Sequence, residues 1–126
     1  MTFEITKSFT FDAAHQLSAN VAPGHRYGTV HGHSFEAELA FAGEPDPATG
    51  WIRDFEEINA VVAGLRATLD HSYLNDVPGL ERPTLERLCQ WLWDHVKPQM
   101  PELVKVSVRR GSCREGCSYT GPDARA

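Results

Sequence analysis

The 126-residue sequence has few cysteines, no excess of positive charge and no long apolar run. Its three cysteines are an odd number, and the N-terminal stretch MTFEITKSFT lacks the apolar core of a secretion signal, so we expect reduced thiols and no disulfide framework. No segment approaches the roughly 20 apolar residues that span a bilayer, which predicts a cytoplasmic protein without a membrane partner. The formal net charge is -5, and the scattered lysines and arginines form no basic stripe, so nucleic acid is not an expected partner.

The length of the chain suits one domain. Residues 1–126 are enough for a real core but too few for two comfortable domains, and no internal repeat, low-complexity segment or linker divides them. The expected partner is therefore a small molecule. The site is expected either within one chain or completed by a second subunit.

Two runs of alternating apolar residues predict two strands. In the first run the odd positions share one face, which ends at His15; in the second, His31 and His33 share the inward face ahead of further apolar residues. The residues on these two faces are Phe3, Ile5, Phe9, Phe11, Ala13 and His15, then His31, His33, Phe35, Ala37, Leu39 and Phe41.

Two amphipathic helices follow the strands. Asp54 and Thr84 are the predicted N-caps, and Pro98 ends the second helix. A strand with alternating valines comes next, and the tail GSCREGCSYTG either adds a fourth short strand or stays a loop. This order predicts an antiparallel α+β domain with both helices on one face of the sheet. Because a small open sheet leaves unpaired edges, a homo-oligomer is expected.

The H-x-H pair is the strongest sign of a metal site. Zinc sites with an open position use three protein ligands, and His31 and His33 point the same way from one strand while His15 ends a neighbouring strand. Taken alone, His15 is interpreted as a packed side chain. Because the H-G-H motif supplies two further imidazoles, we interpret His15 as the third ligand. The C-x-x-x-C spacing of Cys113 and Cys117 lacks nearby partners and does not favour zinc.

Asp70 and His71 lie where the first helix is predicted to end. A carboxylate that orients an imidazole is a proton-transfer arrangement, whereas a solvated helix end whose histidine complements the helix dipole is the structural alternative. The spacing alone leaves both open.

Several motifs in one order resemble the 6-pyruvoyl-tetrahydropterin synthase family, most closely its bacterial 6-carboxy-tetrahydropterin synthases of queuosine biosynthesis. The resemblance extends from about Ile5 to Gly121. The motifs are FTFDAAH, HGHSF, GWIRDF, LDHSYLND, PGLERPTLE and GCSYTG.

The resemblance implies a tunnelling fold. In this fold a four-stranded antiparallel sheet with two helices on one face assembles by threes into a barrel, and two trimers stack into a hexamer with active sites at subunit interfaces. It also implies zinc held by His15, His31 and His33, proton transfer by Asp70 and His71, and the substrate 7,8-dihydroneopterin triphosphate, which the bacterial branch converts with loss of acetaldehyde and triphosphate.

Two positions depart from the family pattern. Tyr27 stands where the family has a catalytic cysteine, and a phenol, with an ordinary pKa of about 10, is bulkier and harder to ionise than a thiol near about 8.5. Arg110 or Gly111 stands where the family has a glutamate that grips the amino-pyrimidine edge of the pterin. An arginine can only donate hydrogen bonds there, and Glu115 is the residue that could substitute.

Two functions follow from this pattern. The first is a zinc-dependent lyase that acts on a pterin-like substrate by altered chemistry, in which Tyr27 either donates a proton or acts as a base. The second is a homologue with a ligand pocket for a pterin or purine but without the parent activity, its pocket blocked or changed by Tyr27.

Overall fold

A five-stranded sheet and two helices make up the fold of the computed structural model, which describes residues 2–122. The strands are β1 (Phe3–His15), β2 (His31–Gly43), β3 (Ser72–Tyr73), β4 (Leu103–Arg110) and β5 (Glu115–Tyr119). The helices are α1 (Phe55–Leu69) and α2 (Leu85–Val96). None of the described helices is long and apolar enough to cross a membrane.

The strand order is β3-β1-β2-β4-β5, and every neighbouring pair is antiparallel except β1 and β3. The prediction of an antiparallel α+β domain is therefore confirmed. The expected four strands are β1, β2, β4 and β5, so the tail does form a strand. The fifth, β3, has only two residues, which is too short to leave an alternating pattern in the sequence.

The core lies between the sheet and the two helices. The apolar faces of β1 and β2 pack with the buried stripes of α1 and α2 in one continuous cluster, at whose centre Phe11 and Phe35 stack with ring centroids 5.0 Å apart. At the N-terminal end of β1 the alternating apolar residues are not buried, because the side chain of Phe3 is 49% exposed. In β4, Leu103 rather than Val104 faces the core, because the β2–β4 register shifts between Ala40 and Phe41.

Both predicted helix caps are present. Asp54 accepts a hydrogen bond from the backbone N–H of Glu56, and Thr84 accepts one from the N–H of Arg87. Glu57 stands three residues after Asp54, which is the spacing of a capping box, but its carboxylate pairs with Arg53 at 2.9 Å.

The cap at Thr84 leads to the first prediction. Replacing Thr84 with alanine removes the only side-chain acceptor at the α2 N-terminus, and we expect the free energy of unfolding to fall by about 1 kcal/mol. Urea unfolding followed by circular dichroism measures the change. Thr68→Ala, at an exposed position in α1, is the matched control and should be neutral or slightly stabilising. Equal effects of the two substitutions would contradict the cap assignment.

Candidate functional site

Three imidazoles meet where β1 ends and β2 begins. His15 is the cross-strand partner of His31, and His33 lies opposite Ala13 two residues further along β2. Because side chains two apart share a face of a strand, all three rings lie together, with ring centroids 4.5 to 5.1 Å apart. Their ligand atoms all lie within 4.8 Å of one another, so the group could hold a metal ion.

Hydrogen bonds fix the tautomers of two of these rings. Nδ1 of His15 lies 3.1 Å from the carbonyl oxygen of Pro83, and Nδ1 of His31 lies 2.7 Å from that of Thr29. A carbonyl oxygen only accepts, so both Nδ1 atoms carry the proton and both Nε2 atoms present lone pairs. These two Nε2 atoms face each other at 2.9 Å.

Two facing lone pairs repel unless a cation or a proton lies between them. The buried Nε2 of His33 also has no hydrogen-bond partner among the described residues. Backbone carbonyls that orient metal-bound imidazoles through their Nδ1 protons are a usual outer layer of zinc sites. The residues therefore fit a zinc ion with three nitrogen ligands and an open fourth position.

Burial favours the neutral form of two of these imidazoles, His15 and His33, which is the form that binds metal. His15 is only 1% exposed, and this burial lowers its pKa to about 4 against the opposing hydrogen bond to Pro83. The pKa of His33 is also lowered, first by burial and then by the positive charge of Arg110.

The second prediction follows from the lowered pKa of His15. In chelator-treated protein, the folded state resists protonation of His15 until about pH 4, whereas the unfolded chain takes up the proton near pH 6.5. The unfolded state therefore binds more protons between these values, and the free energy of unfolding should fall as the pH drops from 6.5 to 4. Urea titrations across this range measure it. His15→Gln should lessen the fall, whereas His95→Gln, at an exposed position on α2, should leave it unchanged.

A cavity of about 510 Å³ opens beside His31 and His33. Its volume suits a small organic ligand. The structure places the predicted Tyr27, Arg110 and Glu115 in its lining, beside His31 and His33 of the imidazole cluster. The full lining is Leu17, Arg26, Tyr27, His31, His33, Arg110, Cys113 and Glu115.

Tyr27 lies in a short turn, Arg26–Gly28, at the mouth of this cavity and is 42% exposed. Its carbonyl oxygen accepts a hydrogen bond from Leu17 at 2.7 Å, and its N–H donates to Nδ1 of His25 at 3.1 Å. The guanidinium of Arg26 lies 5.4 Å from the centre of the Tyr27 ring. The backbone of the turn is therefore fixed, while the phenol ring remains open to solvent and to a ligand.

Asp70 and His71 form a pair at the end of α1. Oδ2 of Asp70 lies 3.1 Å from Nδ1 of His71, and Oδ1 accepts from the backbone N–H of Asp12 at 2.9 Å. The Asp12 N–H, followed by His71 and Arg66, holds the pKa of Asp70 below its usual value. His71 adopts the left-handed conformation (φ 58°), its N–H donates to the carbonyl of Asp12, and its ring is 81% exposed.

The structure separates this pair from Tyr27. His71 lines a different depression, which it shares with His33, Gly32 and Asp12, and neither Asp70 nor His71 lines the Tyr27 cavity. His33 is the residue that borders both spaces. Within one chain, the predicted proton-transfer residues therefore flank the imidazole cluster from two sides.

Several residues of the site carried no recognisable signal in the sequence. Asn75 clamps the chain just after His15, since its side chain accepts from the N–H of Gln16 and donates to the Gln16 carbonyl. Pro83 acts through its carbonyl alone. The C-x-x-x-C spacing marked Cys113 only as a metal ligand paired with Cys117, whereas the structure places it in the lining of the cavity. All three cysteines are free.

Fold and site together define a class: a small α+β domain with an imidazole cluster suited to a metal ion and a ligand cavity beside it. A family model described as 6-pyruvoyl tetrahydropterin synthase matches residues 4–122. The chain belongs to the 6-pyruvoyl tetrahydropterin synthase family.

Individual relatives agree with this membership. The chain is 35% identical to a 6-carboxy-5,6,7,8-tetrahydropterin synthase of Synechocystis over 94% of its own length and 93% of the relative. It is 32% identical to a dihydroneopterin monophosphate aldolase of Pyrococcus furiosus, with 87% of each chain covered. The structure of a Caenorhabditis elegans 6-pyruvoyl tetrahydropterin synthase superposes with a TM-score of 0.87 over 97% of both chains at 22% identity, which shows the shared fold.

Proposed function

We propose that this protein is a zinc-dependent lyase that acts on a pterin-like substrate by a modified form of its family's chemistry. The observation that carries the proposal is the cluster of three imidazoles with two oriented Nε2 atoms, two of whose members, His31 and His33, line a cavity together with Tyr27. His15, His31 and His33 are the proposed zinc ligands. Zinc at this position supplies Lewis-acid polarisation of substrate hydroxyls, which eases proton abstraction.

The proposed proton-transfer groups are the side chains on either side of the cluster. Nδ1–H of His71 donates to the ionised Asp70, which leaves Nε2 of His71 as the atom that accepts or passes on a proton. Tyr27 presents a hydroxyl in place of the family thiol and is proposed to donate or accept a proton from its side of the cavity. Arg110 and Glu115 are the proposed substrate-binding residues.

A second subunit is proposed to bring these groups to one substrate. His71 is exposed and does not line the Tyr27 cavity of its own chain, an arrangement suited to a site shared between neighbouring subunits. The family resemblance favours a homohexamer made of two trimers. Light scattering of the purified protein measures the assembly, and a monomer at working concentration would contradict the shared site.

The test of the proposed function combines metal analysis with a turnover assay. Purified protein with measured zinc content is incubated with 7,8-dihydroneopterin triphosphate, and the pterin products are separated and identified by mass spectrometry. We expect conversion that stops when a chelator removes the zinc and resumes when zinc is restored. Zinc-loaded, folded protein that converts no pterin substrate would contradict the lyase proposal.

The second candidate is a pterin- or purine-binding homologue without the parent activity. The exposed phenol of Tyr27 and the Arg110–Glu115 pair favour it, since both replace groups that the parent reaction uses. Binding without turnover in the same assay would support this candidate. Bound zinc is expected for both candidates, so a comparable zinc content with or without turnover would leave the proposed metal site unchanged.

A further inference from the structure

The side-chain amide of Asn75 lies beside the end of β1, next to the backbone that follows His15. Its oxygen accepts from the N–H of Gln16 at 3.0 Å, and its nitrogen donates to the Gln16 carbonyl at 2.9 Å. The same nitrogen makes a second, longer contact of 3.4 Å with the carbonyl of Glu81. Only one orientation of the amide satisfies these contacts, because the backbone N–H must face the oxygen and both carbonyls must face the nitrogen.

These contacts close a ring of hydrogen bonds around His15. Gln16 follows His15 in the chain, and Glu81 lies two residues before Pro83, whose carbonyl accepts from Nδ1 of His15 at 3.1 Å. Asn75 therefore joins the strand that carries the imidazole to the segment that carries its acceptor. The distance between the two, and with it the His15–Pro83 hydrogen bond, depends on this amide.

The position of Asn75 is itself fixed by the segment that follows α1. The N–H of His71 donates to the carbonyl of Asp12 at 2.6 Å, and β3 pairs in parallel with Ala13–Ala14. The segment thus runs along β1 and reaches Gln16 at Asn75. Because several contacts hold this segment, the amide meets the end of the strand from one defined direction.

The tautomer of His15 is the property that this ring of hydrogen bonds controls. With its proton on Nδ1, toward the Pro83 carbonyl, His15 presents the lone pair of Nε2 to the imidazole cluster. With the proton on Nε2 instead, the ring has no lone pair to offer on that side. Groups that fix the tautomer of a metal-bound imidazole contribute roughly 10- to 100-fold to metal affinity.

We propose that Asn75 is a positioning residue of the metal site, which keeps His15 in the metal-binding tautomer by holding the Pro83 carbonyl against it. Asn75 does not line the Tyr27 cavity, so it acts through the two segments that it joins. The inference rests on the proposed role of His15 in zinc binding. It extends that role, because it makes zinc affinity depend on a side-chain amide outside the ligand set.

Zinc affinity, measured by competition with a chelating indicator, tests the proposal. Asn75→Asp keeps the oxygen that accepts from Gln16 but places a second oxygen against the two carbonyls. Asn75→Ala removes all three contacts without adding a charge. We expect zinc affinity to fall at least roughly tenfold in both variants. Asn59→Asp, the same substitution at an exposed position in α1, is the matched control and should bind zinc like the unmodified protein.

Nitrogen NMR of the His15 ring distinguishes positioning from general stability. In the unmodified, zinc-loaded protein the spectrum should show a slowly exchanging proton on Nδ1 of His15, and in the Asn75 variants this proton should exchange faster. Val96→Ala removes buried methyl groups at the C-terminal end of α2 and should lower the unfolding midpoint. It should leave both the zinc affinity and the Nδ1 proton unchanged.

The possible outcomes separate this inference from the proposed function. Folded Asn75 variants that bind zinc as tightly as the unmodified protein would overturn the inference alone. So would an equal loss of zinc affinity in Val96→Ala, since Asn75 would then only stabilise the fold. If the Asn75 variants do not fold, the NMR spectrum of the unmodified protein still decides, because a His15 proton on Nε2 contradicts the proposed tautomer. Absence of zinc binding by the unmodified protein would contradict the proposed function itself.

Discussion

His33→Ala is expected to abolish zinc retention and, with it, turnover. The buried Nε2 of His33 has no hydrogen-bond partner within residues 2–122, and its ring lies 5.0 to 5.1 Å from the rings of His31 and His15. Removing it leaves two nitrogen ligands where an open zinc site uses three. Loss of an outer-layer partner costs up to about 100-fold in metal affinity, so the loss of a direct ligand should lower zinc affinity by more than about 100-fold. Elemental analysis after dialysis should drop from about one zinc per chain to nearly none.

The loss of turnover should be on the order of a thousandfold or more in kcat/KM, because Lewis-acid stabilisation supplies several kcal/mol. His95→Ala is the matched control. His95 stacks on Trp91 in α2, away from the cluster, so its removal should leave both zinc content and turnover unchanged. If His33→Ala retained stoichiometric zinc after dialysis, the three-histidine site would be wrong.

Asp70→Asn is expected to slow turnover without releasing zinc. The substitution keeps the size of the side chain but removes the carboxylate that accepts from Nδ1 of His71 and holds this ring in one tautomer and orientation. We expect kcat to fall by roughly 10² to 10⁴, the usual contribution of a positioned proton-transfer group. Steady-state kinetics on protein of measured zinc content determines the effect.

The pH dependence gives this prediction a second readout. The pKa of Asp70 is held below its usual value, first by the Asp12 N–H, so its carboxylate stays charged throughout the neutral range. The neutral amide of the Asn variant should therefore lower the rate at every neutral pH. Asp94→Asn, on the exposed face of α2, is the charge-matched control. A rate within twofold of the unmodified protein would remove the Asp70–His71 pair from the mechanism.

The sequence predicted the elements that leave a repeating pattern. Alternation from Phe3 to His15 and from His31 to Phe41 predicted strands β1 and β2, and their pairing brings His15 opposite His31 without any further signal. Cap residues such as Asp54 and Thr84 predicted the helix starts because capping is a local interaction. Strand β3 escaped prediction because two residues have no period.

The sequence could not predict the contacts that depend on tertiary structure. The carbonyl of Pro83 reaches His15 across 68 residues, and no residue type signals a backbone acceptor. The exposed side chain of His71, and its separation from the Tyr27 cavity, depend on the turn after α1. The Arg110–Glu115 pairing likewise depends on the β4–β5 register.

The measurement that tests this account most directly compares the zinc-loaded protein with its Tyr27→Cys variant on 7,8-dihydroneopterin triphosphate. Acetaldehyde and triphosphate release are followed at matched zinc content. Since a thiol ionises more readily than a phenol, we predict that Tyr27→Cys releases acetaldehyde at least about tenfold faster than the unmodified protein. Equal release by both proteins at a rate that requires zinc would contradict the claim that Tyr27 alters the family chemistry.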